Sequence, residues 1–116
     1  MTNHKVQTLD SAYGEEPWFG TALQQFGTSA NVNKLPFDHH QLMGMVAPRG
    51  LMVLENTDYQ CLGVNSAATD VSAAQLIYQA LGVTDNIGFS NSGHTHCVPN
   101  SAEAPYVTAF IKKFLL

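Results

Sequence analysis

The chain has 116 residues, 45% of them hydrophobic and 12% charged, a balance that excludes a disordered polymer and fits one domain or part of one. Five Lys+Arg stand against nine Asp+Glu for a formal charge of -4, and Lys112-Lys113 is the single adjacent basic pair. A nucleic-acid surface built on clustered cations is therefore excluded. No apolar run approaches the ~18 residues of a membrane span, and the opening MTNHKVQTLD lacks the apolar core of a signal peptide.

In chain order, Trp18 to Phe26 (WFGTALQQF) reads as a short helix entered through Pro17 and closed by Gly27. The Ser/Asn-rich stretch 28–34 reads as a loop. Pro36-Phe37-Asp38 then leads into HHQLMGMVA, a helix that Asp38 can N-cap and that Pro48 stops. GLMVLEN, residues 50–56, is an apolar run between Gly and Asn and reads as a strand buried on both faces. Residues 70–81 carry the clearest helical period, with Ala73, Ala74, Ile77 and Leu81 on one face and Gly82 as the stop. Residues 86–90 (NIGFS) read as a second strand. Residues 104–116 form a last helix with Pro105 in its first turn and Val107, Phe110, Ile111 and Phe114 on one face.

Strands that alternate with helices predict crossover units and a parallel sheet, an α/β architecture. Two strands are too few to cover both edges of such a sheet. The expectation is the C-terminal part of a larger α/β protein, incomplete on its own, with residues 1–116 as one fragment of a single domain.

Polar chemistry concentrates in Ser90-Asn91-Ser92-Gly93-His94-Thr95-His96-Cys97, directly after the second strand. Functional groups of open α/β sheets gather beyond the carboxyl ends of the strands. An imidazole there is suited to proton transfer near neutrality, which makes His96 or His94 a candidate general base. Asp58, just after the first strand, is placed to orient such a ring, although Asn-Thr-Asp is equally good turn chemistry. Glu15-Glu16-Pro17-Trp18 sets carboxylates beside an indole, a sugar-binding combination or simply a favourable helix start. Asp38-His39-His40, taken with His94, His96 and Cys97, holds enough N and S donors for zinc. Neighbouring helical residues diverge by about 100°, however, and no paired ligand spacing is present, so no metal and no cofactor is expected. Two cysteines cannot build a disulfide framework. No G-x-S-x-G elbow occurs, and neither Cys61 nor Cys97 stands in a nucleophile's context.

The strings LPFDHHQLMGMVAPRGLMVLENTDY, QALGVTDNIGFS, HTHC and TAFIKKFLL, in this order, resemble the C-terminal region of glucuronoyl esterases, from about Lys5 to Leu116. The resemblance implies an α/β-hydrolase fold, a three-layer sandwich on a mostly parallel sheet. It also implies a Ser-His-acid mechanism that cleaves the ester between 4-O-methyl-glucuronic acid of glucuronoxylan and lignin alcohols. The family's histidine falls on His96, its serine and usual acid lie upstream of this sequence, and Asp58 matches an alternative acid of some members. The chain alone is then expected to be inactive. Gln7 and Glu15 match the residues that bind glucuronate hydroxyls. Cys61 occupies the position of a sugar-packing Trp, for which Tyr59 is a partial substitute. Cys97 matches a cysteine whose disulfide partner lies outside this chain. The resemblance further implies a secreted enzyme, monomeric at full length. The alternative is a non-catalytic carbohydrate-binding or partner-binding remnant that uses Gln7, Glu15 and Trp18.

Overall fold

The computed structural model describes residues 6–15, 19–27, 29–95 and 98–115. Among the described residues, five α-helices and two strands follow one another as α1 (Leu9–Glu15), α2 (Ser29–Val32), α3 (His39–Gly44), β1 (Leu51–Asn56), α4 (Val64–Ala80), β2 (Ile87–Ser92) and α5 (Ala104–Leu115). Short 3-10 turns cover Thr21–Phe26, Gln60–Leu62 and Thr84–Asn86. Among the described residues no helix is long and apolar enough to cross a membrane.

β1 and β2 pair in parallel, in register from Leu51 opposite Ile87 to Asn56 opposite Ser92, with α4 as the crossover between them. This is the expected βαβ unit, and successive side chains along each strand serve opposite layers. Ile87 joins Val71, Ala74 and Tyr78 of α4 in the buried core, with Leu51, Val53 and Phe89 packed against it. Gly88 faces the other way, where a Cβ would lie 3.6 Å from the Phe110 ring of α5, and a Cβ on Gly50 would lie 2.5 Å from Phe114. The sheet thus sits between α4 and α5. Leu51 to Glu55 are only half-buried, because a two-stranded sheet leaves both outer edges uncovered. Burial on both faces, expected from the apolar run, is not reached within this chain.

The local signals explain the element ends. Asp38 caps α3 as expected: its Oδ1 accepts from His39 N at 2.7 Å, and a reciprocal capping box forms in which its carboxylate accepts from Gln41 N while Gln41 Oε1 accepts from Asp38 N at 2.7 Å. α4 ends in a left-handed Gly82 (φ 72°), with Val83 N donating to Tyr78 O at 2.9 Å and Gly82 N to Gln79 O at 3.0 Å. Those two bonds are the Schellman pattern that Gly82 makes possible. α3 packs on α4 where a Cβ on Gly44 would collide with Ile77, so the close approach requires glycine there.

Four expectations need correction. α4 begins at Val64, six residues before Asp70, because Gly63 (φ 67°) turns the chain straight into the helix. Its buried stripe is Val71, Ala74 and Tyr78, whereas Leu81 is 57% exposed; the stripe is one residue rotated from the alanine-based reading. The stretch expected as a loop contains the one-turn helix α2. Leu9–Glu15 folds as α1, and of the helix expected over 18–26 the described residues are helical over Thr21–Phe26 alone, as a 3-10 turn. Trp18 itself lies outside the described residues.

Candidate active site

Both strands end at the same level, so the turn after β1 and the loop after β2 lie side by side. Asn56, 3% exposed at the end of β1, joins them with one amide. Its Nδ2 donates to His94 O at 2.6 Å, while its Oδ1 accepts from Asp58 N at 3.0 Å and from His94 N at 3.3 Å. A buried amide with both ends engaged is inexpensive, and one left unpaired is not. Thr57 N extends the ladder by donating to Ser92 O at 3.2 Å.

A second set of bonds holds the loop from α5. Glu103, 5% exposed just ahead of that helix, accepts from Ser90 Oγ at 2.6 Å and from Asn100 N at 3.4 Å. The Ser90 and Ser92 hydroxyls, opposed by burial and helped by Asn100 N and the nearby His94 ring, hold the Glu103 carboxyl below its ordinary value of 4.5. Asn100 Nδ2 donates to Ser92 Oγ at 2.8 Å and to Gly93 O at 3.2 Å.

The two candidate histidines separate here. The His94 side chain is 9% exposed. Its Nδ1 lies 2.8 Å from Thr95 O, which only accepts, and 3.1 Å from Asn56 Nδ2, which only donates. Its buried Nε2 sits 4.0 Å from Glu103 Oε2 with no hydrogen bond among the described residues. A ring held in this way anchors the loop. His96 and Cys97 lie outside the described residues, two positions further along the anchored loop.

Asp58 stands where the sequence places it. Its carboxylate packs on Gly93, where a Cβ would come within 2.7 Å of Oδ1 and 2.9 Å of Oδ2. Any side chain at position 93 would push the carboxylate off the histidine loop. On the same side of the molecule, Gln7 N donates to Cys61 O at 2.8 Å, and a Cβ on Gly63 would meet Val6 at 2.6 Å. The structure therefore brings together Gln7 and Cys61, and separately Asp58 and the start of the His96 loop. Cys61 is a half-buried free thiol. Glu15 closes α1, and its side chain lies outside the described residues.

A cleft of about 860 Å³ opens between residues 6–12 and helices α3 and α4, lined among others by Gln7, Thr8, Asp38, His39 and Asp70. It touches neither Asp58 nor His94. The structure also groups Asp38 and His40 with Asp70, not with His94. Sequence reasoning missed Asn56, Glu103 and Asp70. A strand-terminal Asn is a readable signal in a βαβ unit, whereas nothing local marks Glu103 or Asp70.

Residues 1–82 match the family profile of fungal glucuronyl esterases. The chain is 44% identical over 97% of its length to 4-O-methyl-glucuronoyl methylesterase 1 of Phanerochaete chrysosporium, covering 24% of that protein. It is 43% identical over 96% of its length to the 4-O-methyl-glucuronoyl methylesterase of Hypocrea jecorina, again covering 24%. The chain thus spans about a quarter of the length of the curated relatives it matches. Among solved structures, the glucuronoyl esterase catalytic domain from Hypocrea jecorina superposes with a TM-score of 0.83 at 40% identity, over 97% of this chain and 31% of that one. A mutant glucuronoyl esterase from Sporotrichum thermophile, in complex with methyl 4-O-methyl-beta-D-glucopyranuronate, superposes with a TM-score of 0.83 at 36% identity, over 97% of this chain and 30% of that one.

Proposed function

The chain belongs to the fungal glucuronyl esterase family and folds as part of an α/β-hydrolase-type catalytic domain, and on that premise we propose that it is the C-terminal portion of a serine-type carboxylic ester hydrolase. The substrate is the ester between 4-O-methyl-glucuronic acid of glucuronoxylan and a lignin alcohol. One observation carries the mechanistic reading: the Asp58 carboxylate rests on Gly93, at the foot of the loop that leads to His96.

In this mechanism His96 takes the proton of a serine hydroxyl supplied by another part of the enzyme, and returns it to the leaving alkoxide. Asp58 accepts from the His96 ring and stabilises the imidazolium formed during attack. The Glu15 carboxylate accepts from glucuronate hydroxyls and the Gln7 amide accepts from or donates to them, orienting the ester carbonyl toward the nucleophile. The backbone bond from Gln7 to Cys61 supports this by fixing the sugar-contacting segment to the turn after Asp58. Cys61 offers no aromatic face, which predicts weaker sugar stacking than a Trp would give. Cys97 pairs with a cysteine elsewhere in the enzyme, and the enzyme is secreted and monomeric.

The test is a chimera in which this chain replaces the aligned part of the Hypocrea jecorina enzyme, assayed on methyl 4-O-methyl-glucuronate. The chimera is expected to turn over, and His96→Ala to lower kcat by about 10³-fold or more. Asp58→Asn is expected to lower it by roughly tenfold or more, with KM little changed. Full activity of the His96→Ala chimera would overturn the assignment, and full activity of Asp58→Asn would return the acid's role to an upstream residue.

A further inference from the structure

We propose that Asp38, His40 and Asp70 form a binding site for a divalent transition-metal ion of the zinc type. The site is separate from the esterase reading, because none of the three belongs to the proposed catalytic or sugar-contacting groups. Asp38 caps α3, His40 is the second residue of that helix, and Asp70 projects from α4. One donor atom from each lies within 4.8 Å of the other two, and His40 Nδ1 is 3.9 Å from Asp70 Oδ1. That separation is too long for a hydrogen bond. Three donors within 4.8 Å of one another surround a point no more than about 2.8 Å from each. Small side-chain rotations bring such a point to the ~2.0–2.2 Å of zinc–imidazole and zinc–carboxylate bonds.

The charges point the same way. Asp70 is only 19% exposed, and among the described residues its carboxylate receives no hydrogen bond and meets only the His39 and His40 rings, at 4.0 and 3.9 Å. No described Lys or Arg pairs with either carboxylate. Two carboxylates held this close repel each other, and a cation between them removes that repulsion. The Asp38 carboxylate accepts from His39 N and from Gln41 N, and its two oxygens together carry further lone pairs for another partner. The frame around the donors is firm, since the capping box fixes Asp38 and the Gly44–Ile77 contact fixes α3 against α4. Asp38, His39 and Asp70 line the 860 Å³ cleft, so an ion held here keeps open positions for water or for an anionic ligand that enters the cleft. Two oxygens and one imidazole nitrogen suit Zn²⁺ or Mn²⁺ and give no preference for a soft ion. The sequence hides the set because its third member stands on a different helix from the Asp38-His39-His40 run.

The experiment is calorimetric titration of the full 116-residue chain with zinc chloride alone, with helix content checked by circular dichroism and His ring signals followed by NMR. One ion per chain is expected, with Kd on the order of micromolar, and the His40 ring signals are expected to shift before those of His94. Asp70→Asn and His40→Gln should each weaken binding more than about tenfold. Asp38→Asn, which keeps the helix cap, should weaken it while preserving helix content. Replacing both cysteines by serine should leave binding unchanged. Absence of saturable binding to the folded chain would overturn the proposal. So would wild-type affinity in both His40→Gln and Asp38→Asn, or loss of binding that follows the cysteines or His94.

Discussion

The β1–α4–β2 unit and the segment before it are held together by different means. Every buried residue among those described lies between Asn56 and Glu103, whereas residues 6–50 contribute none. The unit has a 17-residue helix and paired strands, and its apolar side chains meet across layers. The N-terminal segment has a seven-residue helix, a six-residue 3-10 turn and a four-residue helix, each too short to persist without packing. Its described links to the unit include the Gln7–Cys61 bond and the seat of Val6 on Gly63. The difference places the proposed proton-transfer loop on rigid scaffold and the proposed sugar-contacting groups on a weaker support.

Truncation separates the two regions most sharply. Tyr78 is fully buried, its hydroxyl donating to Arg49 O at 3.3 Å, and Tyr78→Ala empties the centre of the core. A loss of about 3–5 kcal/mol is expected, enough to abolish a cooperative urea transition in a chain of this size. Leu35→Ala, on the half-buried rim of the cleft, is expected to cost about 1 kcal/mol or less. Equal losses at the two positions would show one uniform core and dissolve the comparison.

A smaller effect is expected at the junction of the two loops. Asn56→Asp keeps the acceptors for Asp58 N and His94 N but replaces the donor to His94 O with a second acceptor. About 1–3 kcal/mol should be lost by urea denaturation, and amide hydrogen exchange should quicken at Asp58 and His94 before it quickens in α4. Unchanged exchange at those two amides would mean that the loops stand without Asn56.

These contrasts also mark how far the sequence could be read. β1, β2 and α5 fall within about two residues of their expected places and α4 ends at its expected stop, Asp38 capping α3 through its carboxylate and Gly82 closing α4 through its left-handed backbone. α1 and α2 escaped because LDSAYGE and SANV carry no apolar stripe, and short polar helices take their stability from neighbours the local sequence does not name. The start of α4 was misplaced because Gly63 at its head reads as a break until its left-handed φ is known. In the site, the histidine loop and Asp58 were legible from their places after strands. The burial of the His94 ring was not, since it depends on Asn56 and Glu103, residues distant along the chain and adjacent only after the strands pair.

The finest distinction lies in how pH acts on the loop from the α5 side. Glu103 is held below its ordinary value of 4.5, first by the Ser90 and Ser92 hydroxyls. Between that depressed pKa and 4.5 the unfolded chain binds more protons than the folded one, so stability rises with pH across the interval. The ionised carboxylate's contribution is complete above about pH 5 and is lost as pH falls through the folded value. Glu103→Gln keeps the side chain's size and cannot titrate. The wild type should melt at a higher temperature than Glu103→Gln at pH 7, and the gap should close as pH falls toward 3. Glu55, on the strand that ends in Asn56, is the internal contrast: burial raises its carboxyl pKa, and its Oε2 has no hydrogen bond among the described residues. Its ionisation therefore opposes folding, and Glu55→Gln should raise the melting temperature at pH 7 by an amount that shrinks on acidification. Two carboxylates at the same end of one sheet would then move stability in opposite directions, because one is met by hydroxyl donors and the other is not. A constant Glu103→Gln gap from pH 7 to pH 3 would mean that the loop is held by packing alone.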